Sequence, residues 1–526
     1  MVSMQAQAAI AAGFDFGFHY FRGKTFSPFS MVMWYIPIVL TILTLNLLYM
    51  IFLYPKYFSP YKDLPAVPNP HWFWGNYQDY MDHKYDQAAR MDKAYPGRIF
   101  SRFYGPLGQD VLIAHSVEAH IQILQTFVYK FVKPLNVSRG FINIIGNGLF
   151  FAEGNEHKYQ RRIISPAFTY GHVRTLVPIF VEKIKMTVKI YDAETAAGTA
   201  VIKQLPLFSR LTLDAIGEAS FGVNLHAIDN EDNELVKAYT TLSTPLDDPF
   251  HFFATGFIPG WKYVPTKGNK RMASAKAQFK KSCTSVLMQR VNDVYEKKVE
   301  GKDRDILSIL LKDTTHKWEV NDIENQMMTF LLAGHETTAG ATAWATYLLA
   351  VRPEMQQRLR DEVRTAFPGG IDEIVNAEQI EALPYLNNVA RECFRFNPPV
   401  PITVREAIED VYIEGVLVKK GTTVQISIAL LNKSKQLWGP DAEEFNPDRW
   451  NASTLPAYGY STFIHGARSC LGRRLAETEF KCILAAFVGR FQFDCISPDY
   501  EPMADFVVTA KPIDGMPLKI TRIDGW

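Results

Sequence analysis

Apolar and charged positions divide this chain into unequal parts. Between Lys24 and Lys56 stand 31 residues with no charge, and the centre of that run, Met31 to Tyr54, is almost wholly apolar. Its 24 residues, at about 1.5 Å each, make roughly 36 Å of helix, enough to cross a hydrocarbon layer of about 30 Å with some tilt. Trp34 and Tyr35 at one end and Tyr54 at the other suit the two interfaces. Pro37 and Asn46 are interruptions that a spanning helix tolerates. A membrane anchor is predicted over 31–54, preceded by an extension over 1–30. A cleaved leader is not expected, because its apolar part would be shorter and would end at small residues. Arg22 and Lys24 balance Lys56 and Lys62, so charge does not set the orientation. Pro55, Pro60, Pro65, Pro68 and Pro70 then forbid helix and predict a stiff, extended connector over 55–70. No repeat and no Gly/Ser linker follows, so one large domain is predicted over 71–526.

Within that domain, 172–194, 208–222, 268–300 and 321–352 read as helices. Short β-branched runs at Arg98–Tyr104 with Asp110–Ala114, at Val411–Val418 and near Pro517–Thr521 read as small antiparallel ladders. The fold class predicted is mainly α with small β-sheets (α+β). The helix from Asn321 is the most informative. Asn321 followed by Glu324 fits a capping box, and Arg352-Pro353 ends the run. At about 1.5 Å per residue it is roughly 45 Å long, enough to cross a domain. Its centre reads FLLAGHETTAG. Gly334 and Gly340 each cost about 1 kcal/mol against Ala, and Thr337-Thr338 is also unhelpful. Polar Glu336 and Thr337 in the middle of a buried helix need partners. Phe330, Ala333, Thr337 and Ala341 share one face. Local rules broken together in this way mark a candidate functional site, with a satisfied Thr at a close helix crossing as the structural alternative.

Composition removes several classes. The 526 residues carry a formal charge of +1, which argues against nucleic-acid binding. Hydrophobic residues at 47% with 21% charged exclude disorder of the whole chain. Five cysteines do not make a disulfide scaffold. Aromatics at 13% suffice for a large core and favour an apolar binding cavity.

The strongest chemistry lies near the C-terminal end. Phe463, Gly466, Arg468, Cys470 and Gly472 form F-x-x-G-x-R-x-C-x-G. Gly466 permits a tight turn with positive φ. A strong helix follows, with Phe480, Ile483, Leu484, Phe487, Val488 and Phe491 on one stripe. Cys470 then sits at a helix N-terminus with Arg468 close by, and both favour thiolate. Gly472 lets a flat cofactor approach the backbone. No second Cys or His lies at zinc-ligand spacing. A lone exposed thiolate could be a nucleophile, but an axial thiolate to haem iron fits best. Cys283, Cys393, Cys482 and Cys495 are expected to be structural.

These residues carry a family resemblance. The Cys470 loop resembles the haem-binding signature of the cytochrome P-450 monooxygenases. Ala333-Gly334-His335-Glu336-Thr337-Thr338 is similar to the oxygen-activating groove of that family. Glu392-x-x-Arg395 resembles its buried Glu/Arg helix motif, and Phe445-Asn446-Pro447-Asp448-Arg449-Trp450 the loop whose Arg449 completes that cluster. The four motifs stand in the family's order, and the likeness covers roughly residues 60–525. Anchor and connector look like those of microsomal members, and the cysteine loop like fungal enzymes of specialised metabolism.

The resemblance implies haem b with Cys470 as metal ligand, and Thr337 and Glu336 as catalytic residues handling protons. It implies cofactor contacts from Phe463, Gly472 and Ala333, and propionate contacts from Arg468, Arg161 and Arg405. His157 stands where the family often has Trp. Glu392, Arg395 and Arg449 would serve architecture. Lys133–Gly146 lies where the family's pocket lid does, and the aromatic segment Asp247–Tyr263 reads as a flap that dips into the bilayer, with core packing as the alternative. The implied reaction inserts one oxygen atom of O2 into an apolar small molecule such as a polyketide, terpenoid or alkaloid. Only 56 residues follow Cys470, so electrons are expected from an external NADPH–cytochrome P-450 reductase, with cytochrome b5 as a further donor. The expected place is the endoplasmic reticulum membrane, single-pass, with a cytosolic catalytic domain. A haem-thiolate isomerase or dehydratase, a desaturase and a non-catalytic haem sensor are the alternatives. Sequons at Asn136, Asn432 and Asn451 would be modified only in a secreted protein.

Overall fold

The computed structural model describes residues 28–526, apart from 77–78, 80–86, 231–232, 244–248, 296–304, 314–317, 453, 455–457 and 507–508. Outside the described residues lie most of the 1–30 extension with Arg22 and Lys24, Asp247 and Asp248 of the aromatic flap, the end of the 268–300 helix and Ser453 of the third sequon. The side chains of Trp34, Tyr35, Phe250, Phe252 and Phe253 are likewise outside the description. The chain forms two compact units, 1–116 with 422–425, and 117–421 with 426–526.

In the first unit, α1 spans Pro28–Leu48 and continues as a π-wound stretch, Tyr49–Phe58. Ile36–Phe58 is long and apolar enough to cross a membrane. The reading that Pro55 forbids helix is corrected here. Proline has no N–H for the carbonyl four residues back, and the wider winding accommodates that loss. Ser59 N donates to Tyr54 O, five residues back, at 2.8 Å. The carbonyl of Pro55 accepts from Arg102 Nη1 at 2.9 Å. Residues beyond Ser59 are not a free-standing stiff rod either. They lie against β1 (Phe100–Tyr104), with Arg102 N donating to Pro65 O at 2.7 Å and Val67 N to Arg102 O at 2.9 Å. β1 pairs antiparallel with β2 (Asp110–Ala114), as the β-branched runs predict. Buried Arg102 donates to Asp110 Oδ1 at 2.6 Å and Ser59 Oγ to Asp110 Oδ2 at 2.7 Å, so one carboxylate holds strand and helix end together.

The second unit is helical with small sheets. Its helices include α2 (Gly154–Ile164), α3 (Val177–Glu194), α4 (Gln204–Phe221), α5 (Glu234–Ser243), α6 (Lys267–Tyr295), α7 (Val320–Ala350), α8 (Pro384–Phe396) and α9 (Arg473–Arg490). Its strands include β3 (Phe131–Val132), β4 (Ala200–Lys203), β5 (Ile402–Ala407), the hairpin β6 (Val411–Ile413) with β7 (Val416–Val418), β8 (Phe491–Cys495), β9 (Ala504–Phe506), β10 (Ala510–Pro512) and β11 (Pro517–Arg522). β11 lies between β4 and β8, both antiparallel to it. β9 pairs with β10, and β3 with β5.

Aromatic edges lock the core. Tyr191 of α3 and Phe208 of α4 both meet Phe487 of α9 edge-on, at 4.9 and 5.1 Å between ring centroids. Offset and edge-to-face pairs of this kind add about 0.5–1.5 kcal/mol each beyond burial. α7 is buried nearly throughout, but its cap differs from the expected one. Glu319 and Asp322 form the capping box. Glu324 accepts from Thr284 Oγ1 at 2.6 Å and pairs with Lys280 Nζ at 3.2 Å. The capping box needs backbone that is still extended, and that is residue 319 here.

Candidate functional site

The loop before α9 is built by backbone bonds. Cys470 N donates to Phe463 O at 2.9 Å and Ser469 N to Gly466 O at 3.0 Å. Gly466 has φ +77°, and a Cβ there would stand 2.4 Å from Leu124 O, so the turn requires glycine twice over. Arg161 of α2 reaches into the loop, donating to Ser469 O at 2.8 Å and Ser469 Oγ at 3.2 Å. Cys470 as a residue keeps exposed surface although protein packs densely around its sulfur, and the other cysteines are buried or half-buried. Burial pushes the Cys470 thiol up, while the Gly472 N–H, Arg161 and Arg473 draw it down without reversing the shift. This corrects the expectation that Arg468 activates it. Arg468 turns instead to Ala152 O and the Glu153 carboxylate, because a full carboxylate outcompetes a thiol for a guanidinium.

Across from buried neighbours, α7 opens at one place. Ala333 is exposed and Gly334 and Thr337 are half-buried, while nearly every other residue from 323 to 350 is buried. Thr337 Oγ1 donates to Ala333 O at 2.7 Å. Glu336 turns to Lys511, and buried His335 meets Tyr239 OH of α5 through Nδ1 at 3.0 Å. Phe330, one turn before Ala333, stacks on Phe168 at 5.5 Å. A Cβ added at Gly472 would meet only Phe168, at 3.8 Å, so that backbone has open space beside it. Phe168 therefore stacks on the α7 face and stands near Gly472 of the cysteine loop. Phe463, at the loop's start, packs edge-on against Phe394 of α8 at 5.4 Å.

Beside the loop, cations converge from separate segments. Lys133, His157 and Arg161 of α2, Arg405 of β5, and Arg468 act electrostatically on one another. Burial, Arg405 and Arg468 push Lys133 down to about 7 against a partial rescue by Glu153. Burial, Arg468, Arg161 and Lys133 push His157 down to about 3, so its imidazole is neutral at pH 7. Burial and Arg468 take Arg405 to about 10. Among the described residues, Glu153 is the one carboxylate whose charge acts on this group. Buried positive charge left without counter-charge is unfavourable. The donor set fits a ligand bearing two carboxylates, as the haem propionates do. Sequence reading places Lys133 in the pocket lid and overlooks Glu153, since only folding brings these distant segments together.

Glu392, Arg395 and Arg449 come together in a second, buried cluster. Glu392 and Arg395 are fully buried. Glu392 Oε1 accepts from Arg449 Nε at 3.0 Å and Asn446 N at 2.8 Å, and Oε2 from Trp450 Nε1 at 3.0 Å. Arg395 also donates to Asn432 O at 2.6 Å and Ala442 O at 2.7 Å. Asn432 carries the connection onward, donating to Thr462 Oγ1 at 2.8 Å and accepting from Ser461 N at 2.9 Å. Thr462 is the residue before Phe463, so the ion cluster ends on the strand of chain that enters the cysteine loop. Asn432 reads in sequence only as a sequon, and nothing there marks it as this link.

Comparison with known proteins agrees with this arrangement. The family model described as cytochrome P-450 matches residues 65–515. The chain is similar to the cytochrome P-450 monooxygenase sphH of Aspergillus fumigatus, 36% identical over 501 residues that cover 91% of this chain and 92% of that protein. It is also similar to the cytochrome P-450 monooxygenase buaD of Petromyces alliaceus, 30% identical over 508 residues and covering 92% of each. A mostly helical fold with small sheets, a family model that matches residues 65–515, and relatives matched over about nine-tenths of both chains place this chain in the cytochrome P-450 family of monooxygenases, which work with haem held by a cysteine thiolate.

Proposed function

We propose that this monooxygenase is anchored in the endoplasmic reticulum membrane, faces the cytosol, and oxidises an apolar specialised metabolite with electrons from an external NADPH-dependent reductase. The observation that carries the catalytic reading is the opening of α7 at Ala333, Gly334 and Thr337, in a helix otherwise buried. Cys470 is assigned as the iron ligand, with Arg161, Arg405, Arg468, Lys133 and neutral His157 receiving the propionates. Haem, when bound, supplies the iron on which O2 is reduced. Glu336 and Thr337 then hold and move protons at the Thr337 hydroxyl, a role that suits a carboxylate beside an alcohol. Their presence favours an O2-using reaction over a reductase-free rearrangement. Glu392, Arg395, Arg449 and Asn432 keep the cysteine loop in register.

Membrane attachment is supported by the exposed apolar side chains of Ile36–Phe58 in the first unit. In the second, Ile258, Tyr263 and Val264 are exposed beside the helix Pro249–Phe257, in keeping with a bilayer-facing flap. The organisation proposed is extension 1–30, anchor 31–54, connector 55–70 and catalytic domain 71–526. The deciding experiment is a carbon monoxide difference spectrum of reduced microsomes. The wild type is expected to give the thiolate-type band and Cys470→Ala to lose it; a retained band refutes Cys470 as ligand. Glycosidase treatment is expected to leave the mobility unchanged, as for a cytosolic domain. A screen of polyketides, terpenoids and alkaloids for substrate-induced spin shifts then identifies the class oxidised.

A further inference from the structure

The carboxylate of Glu336 is met by a cation from far along the chain. Lys511 Nζ of β10 lies 3.3 Å from Glu336 Oε1, with the side chains 25% and 11% exposed. A side chain of α7 ties the two elements together nearby. Trp344 Nε1 of α7 donates to Ala510 O, the residue before Lys511, at 2.8 Å. β10 therefore runs beside α7 over the turns that carry Glu336 and Gly340, and its lysine reaches back to the carboxylate. A part-buried pair on two fixed backbones keeps its geometry better than an exposed one, whose flexible side chains are held only weakly. Neighbouring His335 offers no second acid at pH 7, since burial and the Lys511 charge push it down to about 3. Its ring is also engaged with Tyr239. Proton traffic at this turn thus falls to Glu336 and Thr337, and Glu336 has its position set by Lys511.

We propose that Lys511 is a positioning residue for proton delivery, its ammonium holding the Glu336 carboxylate in reach of the Thr337 side of α7. The proposal rests on the reading of Glu336 and Thr337 as the proton-handling pair. Methionine at 511 keeps the length of the apolar stem and removes the hold; arginine keeps the hold.

The test uses the full-length holoenzyme with its reductase and a substrate found by spin shift. Lys511→Met is expected to keep the thiolate-type carbon monoxide band and the substrate spin shift. It should lose about ten-fold in product per NADPH, since one misplaced proton donor forfeits part of a 10²–10⁴-fold effect. The missing electrons should be recovered as hydrogen peroxide. Lys511→Arg should return coupling to within about two-fold of wild type. Glu336→Gln combined with Lys511→Met should lose no more coupling than Glu336→Gln alone, because the lysine acts through that carboxylate. A second readout needs no turnover: the melting temperature of the double variant should fall no further than that of the worse single one. Coupling unchanged in Lys511→Met, or losses that add in the double variant, overturn the proposal. Should Lys511→Met fail to take up haem, Lys511→Gln carries the same expectations, and loss of haem in both makes the residue structural and overturns it too. Failure of the underlying reading is separate, since it shows in Glu336→Gln and Thr337→Ala turning over with normal coupling.

Discussion

Arg395 grips Glu392 with two bonds of 2.7 Å, Nε to Oε2 and Nη2 to Oε1, and neither side chain has any exposed surface. A surface pair three apart on a helix adds only tenths of a kcal/mol. Here the same spacing sits under Arg449, Trp450 and Asn446 and leads through Asn432 to the cysteine loop.

Breaking that pair strands a buried charge. Arg395→Ala is expected to cost about 3–5 kcal/mol and to leave protein that does not take up haem. Thermal unfolding with the carbon monoxide spectrum checks it. A near-native melting temperature with full haem content would remove the cluster from the support of the loop.

Gly466→Ala meets both a positive φ and the carbonyl of Leu124 at 2.4 Å. Strain of this kind costs about 1–3 kcal/mol. Haem content per folded chain should fall, read from the ratio of Soret to protein absorbance.

Lys133 binds fewer protons folded than unfolded between about 7 and its ordinary 10.5, so it makes the haem-free chain more stable as pH rises through that window and exerts its full penalty below it. His157, at about 3, binds fewer protons folded between that value and 6.5, so stability falls as pH drops through that range. Lys133→Met is therefore expected to raise the melting temperature of haem-free protein at pH 6 and to have little effect above pH 10.5, while weakening haem retention roughly ten- to hundred-fold, on the scale of one charge-assisted hydrogen bond of about 1.5–3 kcal/mol. Melting curves at several pH values and haem transfer to a scavenger measure the two effects.

Thr337→Ala removes a hydroxyl that donates to Ala333 O at 2.7 Å on the opened face of α7. The variant should keep its haem and consume NADPH while releasing hydrogen peroxide in place of product, a loss of about 10²-fold in coupling at the upper end. Unchanged coupling takes Thr337 out of the mechanism.

Much of the fold and of the site is legible in the sequence. The β-branched runs predict β1 with β2 and the β6–β7 hairpin because strand pairs close in sequence need only a turn. The helix around AGHETTAG is visible because the mainly apolar pattern resumes after its polar centre and continues to Arg352-Pro353. Its cap is not legible in the same way: acidic and amide side chains at 319, 321, 322 and 324 all fit a cap, and only backbone geometry chooses Glu319 among them. The winding through Pro55 was not visible, because the carbonyl of that proline is held by Arg102 from 47 residues away.

The sequence by itself determined the cysteine loop, the glycines that shape it and the interrupted helix, since each depends on residue type at short spacing. The tertiary structure alone decided which cation meets which anion. Arg161 and not Arg468 acts on Cys470, Lys133 joins the cluster of cations beside the loop, and Lys511 meets Glu336. Charge pairing falls off over a few ångströms, and such distances between remote segments exist only once the chain has folded.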